Sequence, residues 1–137
     1  MNKEDKELLL QDLCARLPYG VKAYVKNWSK LDRKYYEDIY DVKSVFPSLN
    51  EVHVQSKSGS LDVLLGYYDY YIKPYLFPLS SMTKEQEREW QSLMICDIYG
   101  IFYHTIESFD YLYKNHIDIR GLIPKGLAND ATGLNIY

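Results

Sequence analysis

Between Leu17 and Val21 the spacing of apolar residues changes from helical to alternating, which limits the chain to folds that join a helix to a sheet. Before the switch, Leu9, Leu10, Leu13, Cys14 and Leu17 recur at steps of three and four and predict a helix over about Lys3 to Leu17. Asn2 is its expected N-cap, Glu4 and Asp5 complement the positive end of the helix dipole, and Pro18-Tyr19-Gly20 stops it. After the switch, Val21, Ala23 and Val25 alternate with Lys22, Tyr24 and Lys26, the pattern of a half-buried strand ending near Trp28. The polar stretch from Asn27 to Lys34 predicts a turn.

Further strands are expected over Tyr36 to Val45, Glu51 to Gln55 and Leu61 to Tyr67, with Ser56 to Ser60 as a flexible connection. Short polar links between consecutive strands favour an antiparallel sheet of about four. From Tyr70 to Thr83 the chain carries Pro74 and Pro78, which fix φ and push the preceding residues into extended conformations, so a stiff, non-helical strap is expected. Thr83 and Gln86 form a capping box that opens a helix from Lys84 to Ile95 or beyond, with Trp90, Leu93 and Met94 inward and Gly100 interrupting its continuation. A last helix from Thr105 to Asn115 presents Ile106, Phe109, Leu112 and Tyr113, with Asn115 as a left-handed cap. From about residue 121 the tail reads as irregular. The expected fold is α+β: one domain over residues 1–137, with an N-terminal helix, an antiparallel sheet and two C-terminal helices.

The sequence excludes several chemistries. Lys and Arg number 16 against 19 Asp and Glu, a balance that argues against non-specific DNA binding, which needs a basic face to replace counterions on phosphates. There is no GxGxxG and no GxxxxGK[ST] to cradle a nucleotide, and Ser80-Ser81 lacks the constrained turn of a nucleophilic serine. His116 and Asp118 are too few to hold a metal, and Glu37, Asp38 and Asp41 lack the spacing of a calcium loop. Cys14 and Cys96 lie far apart, both in segments predicted helical, and form no CxxC. No cofactor is therefore expected, and a non-enzymatic role is favoured over a catalytic one. The first residues lack the basic start and apolar stretch of a signal peptide, and no apolar run approaches the ~18 residues of a membrane span, so the expected location is the cytoplasm.

Fifteen tyrosines remain to be explained. A tyrosine buries a large ring but keeps a hydroxyl that needs a partner, so it suits half-buried sheet faces, groove walls and interfaces. Lys22, Tyr24, Lys26, Trp28, Lys30, Arg33 and Lys34 mix rings with cations over a short span, and this pattern leaves single-stranded nucleic-acid binding open.

Three stretches, Leu13 to Val21 (LCARLPYGV), Ile72 to Thr83 (IKPYLFPLSSMT) and His116 to Ile123 (HIDIRGLI), resemble in that order a group of small proteins of Bacteroides-type genomes, often encoded near phage or mobile-element genes. Members tend to be more acidic after the threonine than Lys84-Glu85-Gln86 is here. The resemblance implies no activity; it implies a phage or mobile-element setting, where small accessory proteins act by binding others. Tyr75, Phe77, His116 and Arg120 are expected to wall a common groove, which keeps a small-ligand binder or enzyme as an alternative. The expected function is that of an accessory or adaptor protein meeting a protein partner, or a second copy of itself, through an aromatic surface that includes Tyr24, Trp28, Tyr75, Phe77, His116 and Arg120.

Overall fold

The computed structural model describes residues 1–66 and 70–137. Helix α1 spans Lys3–Arg16, and the Asn2 side chain accepts a hydrogen bond from the Asp5 amide at 2.7 Å, so the expected cap is in place. A short 3-10 turn over Leu17–Tyr19 follows, and Gly20 takes φ 74°, which turns the chain back over the helix. Strands β1 (Lys22–Ser29), β2 (Lys34–Phe46), β3 (Glu51–Ser56) and β4 (Gly59–Leu64) then run as an antiparallel meander. Strand β5 (Tyr70–Leu76) returns to pair with the free side of β1. Helix α2 (Lys84–Ser92), a two-stranded hairpin of β6 (Ile95–Cys96) and β7 (Phe102–Tyr103), helix α3 (Ile106–Lys114) and strand β8 (Asn129–Asp130) complete the chain. The main sheet has the order β4-β3-β2-β1-β5-β8, antiparallel except for β5 with β8.

The fold is α+β as expected, but among the described residues the main sheet has six strands and not about four. Two of them come from segments not expected to join the sheet, the stiff extended strap and the irregular tail. The proline strap is itself a strand: Pro74 lies opposite Ala23 in β1, and β8 touches β5 only at Tyr75 and Leu76, so the proline sits where one side of β5 is still an edge. The tail supplies β8 and goes on with the Ala131 amide donating to the Leu76 carbonyl. The expected flexible link at Ser56 to Ser60 is a tight turn over Lys57 and Ser58, with β4 already starting at Gly59. Tyr67, the expected end of the fourth strand, lies outside the described residues.

Strand alternation decides which face is core. Val21, Ala23 and Val25 pack with Leu9, Leu10 and Leu13 of α1 and with Val52, Val54, Ile72 and Leu76 from the other strands. Lys22, Tyr24 and Lys26 face the other way and are half-buried. A second, smaller cluster of Met82, Leu112 and Ile117, flanked by Phe77, Trp90 and Tyr111, joins α2 and α3 beyond β5. Both helices are less buried than their apolar spacing suggests. Trp90 and Met94 are half-buried, Leu93, Ile106 and Phe109 are exposed, and Cys96 stands in β6 and not in a helix.

The end of α3 differs by one residue from expectation. His116, at φ 59°, takes the left-handed position and not Asn115. Its amide donates to Tyr113 O and the Ile117 amide to Leu112 O, the paired bonds of a Schellman motif, and Ile117 packs on Leu112 as that motif requires.

Helix α2 buries no residue fully, so its start depends heavily on the capping box. The Thr83 hydroxyl accepts from the Gln86 amide at 3.1 Å, and the Thr83 amide donates to Gln86 Oε1 at 2.9 Å. Thr83→Ala is expected to cost about 1 kcal/mol. Hydrogen exchange should find the loss confined to amides of the first turn of α2.

Candidate interaction surfaces

Tyr24 and Trp28 stand on the open face of the sheet. Register places Tyr24 between Ile39 and Lys73, Lys26 between Glu37 and Tyr71, and Trp28 opposite Tyr35. The rings make edge contacts, Tyr24 on Tyr71 at 6.0 Å and Trp28 on Tyr35 at 4.9 Å. Four lysines of this surface are engaged. Lys22 pairs with Asp41 at 2.7 Å, and Lys26, Lys34 and Lys73 lie over Tyr35, Tyr36 and Tyr71. The Tyr24 hydroxyl donates to Glu37, and this bond, followed by burial, pushes its pKa up to about 12. One lysine of the cluster is thus matched by an acid of β2 and two by rings, while Lys30 and Arg33, in the turn between β1 and β2, stand exposed.

Of the four residues expected to wall one groove, three converge on Tyr137. Tyr75 is buried, and its carbonyl accepts from the Tyr137 hydroxyl at 2.7 Å. The His116 ring stacks on the Tyr137 ring at 3.5 Å and 11°, with Phe77 tilted against the same ring at 6.1 Å. Phe77 is held there by an extension of β5, its amide donating to His116 O and its carbonyl accepting from the Asp118 amide, both at 2.8 Å. These rings border a cleft of about 420 Å³ that Gln86, Lys114 and Thr132 also line. Burial, with the Arg16 charge second, lowers the His116 pKa to about 4, so the imidazole is neutral at pH 7. Phe77 and His116 line this cleft, and the Ser81 hydroxyl beside them donates to the Pro78 carbonyl at 2.6 Å. Tyr137, which organises the group, carried no sequence signal beyond being one more tyrosine.

Arg120 lies elsewhere, in a charge cluster that sequence reasoning missed. Asp12 and Arg16, one turn apart on α1, both have side chains at 0% exposure. Arg16 Nε donates to Asp12 Oδ2 at 2.6 Å and its Nη2 to Asp12 Oδ1 at 3.1 Å and to the Ile117 carbonyl at 2.7 Å. The guanidinium also covers the Tyr113 ring at 5.1 Å. Arg120 donates to the Tyr113 hydroxyl at 3.2 Å and comes no nearer than 3.7 Å to Asp12. The signal was present: residues 9, 12, 13 and 16 share one helical stripe, so the apolar spacing that buries Leu9 and Leu13 buries this ion pair with them.

Among the described residues, several exposed large apolar side chains gather on the β6–β7 hairpin and the start of α3. Ile98 is 91% exposed, Tyr99 81% and Ile106 77%, with Ile95, Ile101, Phe102 and Tyr103 also exposed. No family model, curated protein or solved structure matches the chain. The hairpin is not a loose loop. Asp97 Oδ1 accepts from the amides of Tyr99 at 2.8 Å and Ile101 at 3.0 Å, and its Oδ2 accepts from the Tyr103 hydroxyl at 3.1 Å. Led by the Ile101 amide, these donors hold the Asp97 carboxyl below its ordinary range. Gly100, at φ 78°, closes the turn with its amide on the Asp97 carbonyl. The Thr105 hydroxyl ties the base of the hairpin to the Leu93 carbonyl, and His104 stacks on Phe109 at 4.6 Å behind it. Among the described residues no three His, Cys, Asp or Glu side chains converge as metal ligands, and no helix is long and apolar enough to cross a membrane.

Proposed function

We propose that the chain is a non-enzymatic accessory protein that works by binding another protein through the β6–β7 hairpin. The observation that carries this reading is a row of bulky apolar side chains displayed to solvent on a turn pinned by Asp97. Water-facing apolar surface is costly, and monomeric proteins seldom keep a contiguous patch of it without a use. Fixing the display in advance lowers the ordering cost of association. Residues 84–114 hold six carboxylates against three cations, so this segment carries the chain's whole formal charge of −3. That charge suits a partner whose apolar groove has a basic rim, and it opposes self-pairing through this face. The phage or mobile-element setting implied by the sequence resemblance is consistent with an adaptor of this kind.

The aromatic surface proposed here is not the one marked by Tyr24 and Trp28, where Lys22 is held by an acid and Lys26, Lys34 and Lys73 by rings. Partner capture from host extract by wild type and by an Ile98→Asp/Tyr99→Ser variant tests the reading. Both side chains are almost free of contacts, so the variant is expected to keep wild-type thermal stability while losing the captured protein. Asp97→Ala should weaken capture by unpinning the turn, visible as faster amide exchange at Tyr99 and Ile101. A captured protein that the double variant retains in full would end the proposal.

A further inference from the structure

A cleft of about 650 Å³ lies between α1 and the turn after β2, lined by Leu10, Cys14, Ala15, Pro47, Asn50 and Arg120, with Gln11 and Glu7 at its margins. Its volume is in the range of small-molecule sites, and its walls are mostly apolar. The arginine is the unusual feature. Arg120 Nε is buried and donates to no acceptor. Its nearest carboxylate, Asp12, already accepts from Arg16 with both oxygens. Two guanidinium groups thus share one carboxylate. Glu7, at the margin, is exposed and lies 3.8 Å from Lys3, beyond salt-bridge reach of Arg120, and Asp118 accepts from the Leu122 and Ile123 amides, each at 2.9 Å. A partly buried cation without its own counter-ion, set in an apolar cleft, is a place for an anion.

We propose that this cleft binds a small monoanionic amphiphile, a carboxylate with a short apolar chain, whose head group pairs with Arg120 and whose chain lies along Leu10, Cys14, Ala15 and Pro47. One guanidinium matches a single negative charge. A dianionic phosphate would leave charge unpaired against apolar walls. The site is separate from the hairpin and does not depend on its role.

Octanoate is the probe, followed through the amide shifts of Leu10, Cys14, Ala15 and Asn50, and through alkylation of Cys14 by iodoacetamide in a Cys96→Ser background that removes the exposed second thiol. Octanoate is expected to shift these amides saturably and to protect Cys14. Octanol, which lacks the charge, and inorganic phosphate, which lacks the chain, should each bind about tenfold more weakly or worse, as should octanoate to Arg120→Gln: octanol and the variant lose the charge-assisted pair, and phosphate loses the apolar contact. Ala15→Phe fills the cleft from the helix side while leaving the arginine in the chain and should abolish both signals, which keeps the test decisive if Arg120→Gln fails to fold. The proposal is overturned if octanoate gives no saturable shift, if octanol matches it, or if Ala15→Phe leaves binding intact.

Discussion

Asp12→Ala is expected to destabilise the fold by roughly 3–5 kcal/mol, the usual cost of leaving a buried charge without its partner. Urea denaturation followed by tryptophan fluorescence should show the loss as a lower midpoint with little change in slope. Arg16 is fully buried, and two of its three donor contacts end on Asp12, so deleting the carboxylate strands a cation that water cannot reach. Arg120 then loses its nearest negative charge as well. A typical domain has only about 5–15 kcal/mol in hand, so a single substitution takes a large share of it. Replacing Asp12 and Arg16 together by Leu and Met should recover much of the loss, because an apolar pair of similar volume needs no counter-ion. Recovery should stop short of wild type, since Arg16 also donates to the Ile117 carbonyl and so ties α1 to the segment after α3. If Asp12→Ala had the stability of wild type, the ion pair would not be the clamp described here.

The N-terminal half of the fold was legible because its signals are local. The stripe of Leu9, Leu10 and Leu13 and the alternation of Val21, Ala23 and Val25 each follow one period, and both landed on the core side. The capping box at Thr83 was legible for the same reason. The missed strands depend on distant partners. Nothing within Tyr70 to Leu76 says that β1 has a free side, and a proline in the run argues against a strand unless the short reach of β8 is known. The hairpin at Ile95 to Tyr103 was hidden by apolar spacing that reads equally well as a helix continuing from α2. Gly100 was the one clue, and it marks the tip of a turn and not a break in a helix. Among the candidate site residues, Phe77 and His116 meet on the Tyr137 ring and Tyr75 joins them only through its carbonyl, while Arg120 turns to Tyr113 of α3 and Asp12 of α1.

Acid should weaken the protein through His116 well before its carboxylates are protonated. In the folded state the imidazole pKa is lowered to about 4 from an ordinary 6.5, first by burial and then by the positive charge of Arg16. Between those values the unfolded chain binds the extra proton and the folded one does not, so stability rises with pH. The stabilising contribution is complete above about pH 6.5 and drains away as pH falls toward 4. By pH 5 the expected loss is roughly 1–2 kcal/mol, allowing for the partial exposure of the ring. The geometry accounts for the direction. The ring stacks on Tyr137, its Nδ1 is buried without a hydrogen-bond partner, and a proton there would face Arg16 with no carboxylate in contact. The left-handed backbone at residue 116 also fits asparagine, so His116→Asn should keep the Schellman turn while removing the titration. Urea midpoints at pH 7 and pH 5 are the measurement: wild type should fall between them and His116→Asn should hold nearly level. A wild-type midpoint unchanged over that interval would mean that the imidazole accepts its proton without leaving the stack.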